Sequence, residues 1–204
     1  MLTPSNPGQL PGIQPVVKMK YRIDLFICVL LMLSLTGAVQ AEKKSPLRVV
    51  ASVDLDRYAG RWYEIARFPN RFQKKCAGEV IANYTRTPDG NITVLNSCRL
   101  EDGSPIQAKG VARLAGKGQP NSVLKVRFAP AFLSFLPQVW GDYQIISLSP
   151  DYTCALVGDP GREYLWILSR SPRMDSATYD GLAAEARAQG FDVQMLQMTR
   201  QSGS

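Results

Sequence analysis

No histidine occurs anywhere in the sequence. Its absence removes the usual general base, the commonest metal ligand and the one side chain that titrates near neutrality. A Ser-His-Asp triad and a His-ligated metal or haem are therefore excluded, and we expect no catalytic residue, no metal and no cofactor. The residues left with chemistry to offer are few. Cys28 lies in an apolar N-terminal run, while Cys76, Cys98 and Cys154 follow it. In an exported chain three cysteines are most simply one disulfide and one free thiol. Glu64 stands in the alternating run "RWYEIARF" (61–68), and Trp62 and Arg170 stand near the ends of two such runs.

These residues must be positioned by short strands. Strand-like runs cover 61–68, 79–86, 91–98, 106–114, 122–128, 141–148, 152–158 and 163–170, broken by "TPDG", "EDGS", "GKGQPN", "LSPD" and "GDPGR". Those breaks are hairpin chemistry, and eight consecutive strands without a helix among them predict an antiparallel meander closed into a barrel. "MDSATYDGLAAEARAQGF" then places Tyr179, Leu182, Ala183 and Ala186 on one helical face, with Asp175 as N-cap and Gly190 as stop. This helix should lie outside the barrel. The tail "FDVQMLQMT" adds a last strand. In a closed meander Arg170 ends the strand beside the first, so its guanidinium can stack on Trp62 and close one end.

Upstream, "KYRIDLFICVLLMLSLTGAVQA" (20–41) has basic residues, an apolar run and small residues ending at Ala41, the pattern of a secretory signal. We read 1–18 as disordered or a mis-assigned start, 19–41 as the signal peptide, 42–53 as an N-terminal linker and 54–200 as the folded domain. Cys28 sits too early in the apolar run, behind bulky Ile27, to be a lipidation site. The chain carries 24 Lys and Arg against 17 Asp and Glu, a net charge of +7 scattered along its length. Scattered charge describes a solvated surface rather than a nucleic-acid footprint.

"GRW" (60–62), "PDY" (150–152) and "LSR" (168–170), in this order at the ends of strands one, seven and eight, resemble the three short motifs of the lipocalin family. Longer stretches such as "DLDRYAGRWYEIARFPNRFQ" and "YLWILSRSP" resemble its bacterial outer-membrane and animal apolipoprotein members. The resemblance implies an all-β, eight-stranded up-and-down barrel with one C-terminal helix packed outside. It implies a closed end holding Gly60, Trp62, Asp151, Tyr152 and Arg170, and a mouth ringed by the intervening loops. Cys76 and Cys98 flank the "TPDG" hairpin on its open side, which favours a rim disulfide with Cys154 left single.

Strand alternation from Trp62 points Glu64, Ala66 and Phe68 inward, and from Arg170 it points Leu168, Trp166 and Tyr164 inward. Trp166 and Phe68 lead the candidates for ligand contact. Phe128, Tyr143, Tyr84 and Asn83 are further wall candidates, on strands where a bulge can reverse the alternation. "FAPAFLSFLPQVWG" (128–141) has no charge and is read either as a lid or as a surface that docks on a membrane or partner, and its Trp140 is counted among the ligand-contact residues. The family implies a carrier of fatty acids or lysophospholipids for envelope maintenance, exported to the periplasm and at most peripheral at the outer membrane. A pigment, bilin or retinoid binder, or a thiol-dependent lipocalin enzyme, are the alternatives. A homodimer is left open. "NYT" and "NIT" fit the glycosylation sequon, which carries no meaning in a bacterial protein.

Overall fold

The computed structural model describes residues Lys44–Ser202. The signal segment, the early start and Cys28 lie outside the described residues. A four-residue helix, α1 (Leu55–Tyr58), precedes eight strands: β1 (Gly60–Arg67), β2 (Gly78–Arg86), β3 (Ile92–Arg99), β4 (Pro105–Leu114), β5 (Val123–Arg127), β6 (Gly141–Leu148), β7 (Cys154–Gly158) and β8 (Leu165–Ser169). Each strand pairs antiparallel with the next, and β1 pairs with both β8 and β2, so the sheet closes into a barrel. Helix α2 (Ser176–Ala188) and a two-residue strand β9 (Gln197–Met198) complete the described chain. Among the described residues no helix is long and apolar enough to cross a membrane.

Two apolar clusters divide the interior. The first lines the inside of the barrel and includes Trp62, Tyr84, Val94, Leu124, Ile145, Val157 and Leu168. The second lies between the outer barrel wall and α2, where Leu156, Ile167 and Phe191 meet Tyr179, Leu182 and Ala186. The predicted helix thus buries its predicted face, and Asp175 caps it by accepting from the Thr178 N–H at 2.8 Å. α1 has no signature in strand alternation. It forms because Asp54 accepts from the N–H groups of Asp56 and Arg57, a capped turn just before β1.

The expected last strand is shorter than the alternation of "FDVQMLQMT" suggests, since Val193–Met195 coils into a 3-10 turn. Its remnant has a defined task. β1 pairs with β2 only over Gly60–Tyr63. Further up, β9 pairs with Ala66 and Arg67, and the N–H groups of Thr199 and Glu79 donate to Ile65 O and Arg200 O. Gln201 Nε2 donates to Glu64 O at 2.8 Å and Val80 O at 3.0 Å, bridging the two strands. The C-terminal segment therefore fills the gap where the barrel seam opens.

Strand β1 does not alternate throughout. Its register against β8 runs Glu64↔Leu168 and then Ala66↔Ile167, so Ile65 is a bulge. A bulge reverses the faces beyond it. Ala66 and Phe68 therefore leave the barrel and join the outer cluster, Phe68 meeting Phe191 at 6.1 Å. The expectation that these two line the barrel is corrected, and Arg67 faces inward in their place.

Candidate functional site

The closed end is built around one guanidinium. Arg170 Cζ lies 3.9 Å from the centre of the Trp62 ring, which is fully buried. Its Nη2 donates to the carbonyls of Arg57, Tyr58 and Ala59 at 2.7–3.1 Å, and Nη1 donates to Arg61 O at 2.7 Å. The first three carbonyls belong to the end of α1 and the residue after it, where a helix leaves its acceptors unpaired, and Arg61 lies in β1. Trp62 Nε1 donates to Tyr58 O as well. Gly60 at φ +95° makes the turn, and a Cβ there would sit 3.3 Å from Arg170 Nη1, so both backbone and space call for glycine. Tyr152, also at positive φ, accepts the Asp54 N–H on its hydroxyl and lies under the Arg57 guanidinium. Asp151 stays exposed and holds its turn through the Thr153 N–H and hydroxyl.

Above this floor three tyrosines meet. The Tyr143 hydroxyl lies 2.7 Å from that of Tyr58 and 3.1 Å from that of Tyr84. Burial pushes all three hydroxyls above the usual tyrosine range, Tyr84 to about 12, so all stay protonated. Nearer the mouth, Glu64 is 3% exposed and accepts from the Thr199 hydroxyl at 2.5 Å and from Gln73 Nε2 at 2.6 Å. Arg67 Nε is 3.2 Å away. Burial raises the Glu64 carboxyl, and the two hydrogen bonds and the Arg67 charge pull it part of the way back. A costly inward carboxylate is thus used to tie together β1, the β1–β2 loop and the C-terminal segment.

Trp166 Nε1 donates to Gln73 Oε1 at 3.2 Å. Its ring stacks on Tyr164 at 5.9 Å, and Tyr164 meets Phe72 at 5.8 Å. This aromatic series leads from the barrel wall to the rim. Cys76 and Cys98 form a disulfide across a separation of 22 residues, fixing the β1–β2 loop to β3. The described residues 53–201 match the family described as "Lipocalin-like domain".

The chain belongs to the lipocalin family.

It is 44% identical over 161 residues to temperature-induced lipocalin-1 of Arabidopsis thaliana, covering 78% of this chain and 86% of the relative. It is 38% identical over 157 residues to the outer membrane lipoprotein Blc of Escherichia coli K12, covering 76% and 84%. The structure of insecticyanin from the tobacco hornworm Manduca sexta superposes with a TM-score of 0.57 at 19% identity, over 78% of this lipocalin and 86% of that chain. The fold is therefore that of the family. The two relatives come from a plant and a bacterium, so the likeness does not assign a source.

Of the residues the sequence singles out, Glu64, Tyr143, Trp166 and Leu168 face into this lipocalin's barrel, as their positions and partners show. Phe128 sits at the mouth over Gly110, whose absent Cβ would lie 2.8 Å from the Phe128 ring. Trp140 does not line the barrel. It lies on the outer wall with Arg113 Cζ 3.9 Å and Arg127 Cζ 5.2 Å from its ring centre, and its Nε1 donates to Ser134 O. The reason is parity: Asp142 on the same face pairs outward with Lys125. Sequence reasoning passed over Tyr58, Arg67, Gln73 and Thr199. The Asp54 cap ahead of "LDRY" was a signal for Tyr58, but nothing local marks the other three, whose role comes from contacts distant in sequence.

Proposed function

We propose that this lipocalin is a non-enzymatic carrier of fatty acids or lysophospholipids, holding its ligand in the barrel and serving envelope membrane maintenance as an exported, periplasmic protein. One observation carries the reading. Inward side chains above the tyrosines, among them Ala82, Val126 and Trp166, are only partly buried although they face the barrel axis. Apolar wall that keeps accessible surface on the inside is suited to a chain of methylenes, each worth ~0.8 kcal/mol on burial. Cys154 alternates with the inward Ala155 and Val157 and so faces outward, and Cys76 is spent in the disulfide. Neither offers a nucleophilic thiol to the barrel, which favours a carrier over a thiol enzyme. Titration with cis-parinaric acid, followed by displacement with lysophosphatidylethanolamine, tests the reading. Saturable binding is expected, weakened about tenfold or more in Trp166→Ala, since a large apolar contact of roughly 2 kcal/mol is lost. Absence of any saturable binding would end it.

The loop at 128–141 supports a peripheral membrane contact. Phe132 and Phe135 are 74% and 75% exposed on the open end, beside the mouth. Exposed aromatics in a segment without charge suit an apolar surface. The double variant Phe132→Ser/Phe135→Ser is expected to lower partition into phosphatidylcholine vesicles at least tenfold, with an unchanged circular dichroism spectrum. Trp140 is left out of this test because two guanidinium groups already cover it. Equal partition of variant and wild type would remove the contact.

A further inference from the structure

Tyr84 and Tyr143 approach from opposite walls. Around the closed order of eight strands, β2 and β6 are four steps apart in either direction. Their hydroxyls nonetheless meet at 3.1 Å, with the Tyr58 hydroxyl from below at 2.7 Å from Tyr143. The tyrosines therefore span the barrel, so a guest entering from the mouth would meet hydroxyl groups before the Trp62 floor.

Each hydroxyl carries one proton, and each of the two contacts uses one. Tyr143 can accept from both neighbours, or accept from one and donate to the other. In every arrangement one of the three protons is left without a protein acceptor. A guest that presses a methyl group onto this surface strands that donor away from water, which costs more than the net value of a hydrogen bond. A second unmet group lies one inward position nearer the mouth. Asn96 pairs with Ala82 as Val94 pairs with Tyr84, and its buried Oδ1 has no hydrogen-bond partner.

The charges nearby select among oxygens. Burial is the main cost to an anion beside Tyr84, and the Glu64 carboxylate acts in the same direction. The Arg170 charge below opposes this, but its donors are already spent on backbone carbonyls and none is left for a guest's anion. Resting on the carrier reading above, we infer that the tyrosine bridge is a binding subsite for a neutral oxygen at the leading end of an apolar guest, a hydroxyl or carbonyl that accepts the spare tyrosine proton. A hydroxyl can in addition donate to Asn96. The natural guests then include long-chain alcohols, ketones or oxygenated terpenoids that enter oxygen first.

The test uses decan-1-ol and decane as competitors of cis-parinaric acid. Partition of the same pair between hexadecane and water gives the preference expected from an apolar site that offers no hydrogen bond. Wild-type protein is expected to favour the alcohol at least tenfold more than that partition does. The triple variant Tyr58→Phe/Tyr84→Phe/Tyr143→Phe keeps the rings and should fall back to the hexadecane value. Tyr84→Phe alone leaves two hydroxyls, one contact and again one spare proton, and should keep most of the preference. A wild-type preference equal to the partition value overturns the subsite whether or not the triple variant folds, as does a folded triple variant with undiminished preference. Binding of cis-parinaric acid with either result leaves the carrier reading intact, whereas its failure to bind takes down both.

Discussion

Arg170→Ala is expected to lower the unfolding free energy by about 3 kcal/mol or more, read as an earlier urea midpoint at unchanged slope. The side chain donates to carbonyls of Arg57, Tyr58, Ala59, Arg61 and Tyr152, and caps a fully buried indole. Charged hydrogen bonds contribute more than neutral ones, and truncation leaves several acceptors without their donor. The stack on Trp62 adds about 1–2 kcal/mol where it is shielded from water. At roughly 2–4 °C per kcal/mol for a domain of this size, the melting temperature should fall by about 6–12 °C. Arg170→Lys is the informative control. Its single ammonium cannot serve a fan of carbonyls or lie flat on an indole, so most of the loss should persist. A lysine variant as stable as wild type would show that charge alone matters here, against the geometry.

Replacing both Cys76 and Cys98 by serine should cost about 3 kcal/mol, because the bridge closes a loop of 22 residues in the unfolded chain. The consequence is also local. The β1–β2 loop carries Gln73, which accepts from Trp166 and donates to Glu64. Without the bridge the loop is held by its hydrogen bonds and the Phe72–Tyr164 contact, and the tryptophan emission should shift to the red as the Trp166 indole becomes wetter. A calorimetric scan with and without reductant measures the first effect, and the emission maximum measures the second. A variant that melts with wild type would mean that the unfolded chain is already restricted at this loop.

Much of this molecule was legible before any coordinates. The turn residues between eight alternating runs gave the meander, Asp175 and the Tyr179–Ala186 stripe gave the outer helix, and the flanking of the hairpin paired Cys76 with Cys98. The errors came from one source. The bulges anticipated on the strands bearing Tyr84 and Tyr143 do occur, between Gly78 and Ile81 and between Ile145 and Ser147, and both tyrosines still face inward. The decisive bulge is at Ile65, inside the run that looked most regular. It moved Ala66 and Phe68 outward and brought Arg67 in beside Glu64. Trp140 was misplaced for a related reason, since its loop gives no periodicity from which to read a face.

The sequence by itself determined the elements, because side-chain period, turn chemistry and caps act within a few residues. It also determined which strands end in Trp62 and Arg170. Only the tertiary structure decided phase. A bulge is set by the twist and closure of the whole barrel, and one extra residue inverts every face beyond it. Tertiary structure alone likewise joined Tyr84 to Tyr143 across the barrel and set Thr199 on Glu64, 135 residues away. Such contacts are specified by neighbours distant along the chain, which no local pattern records.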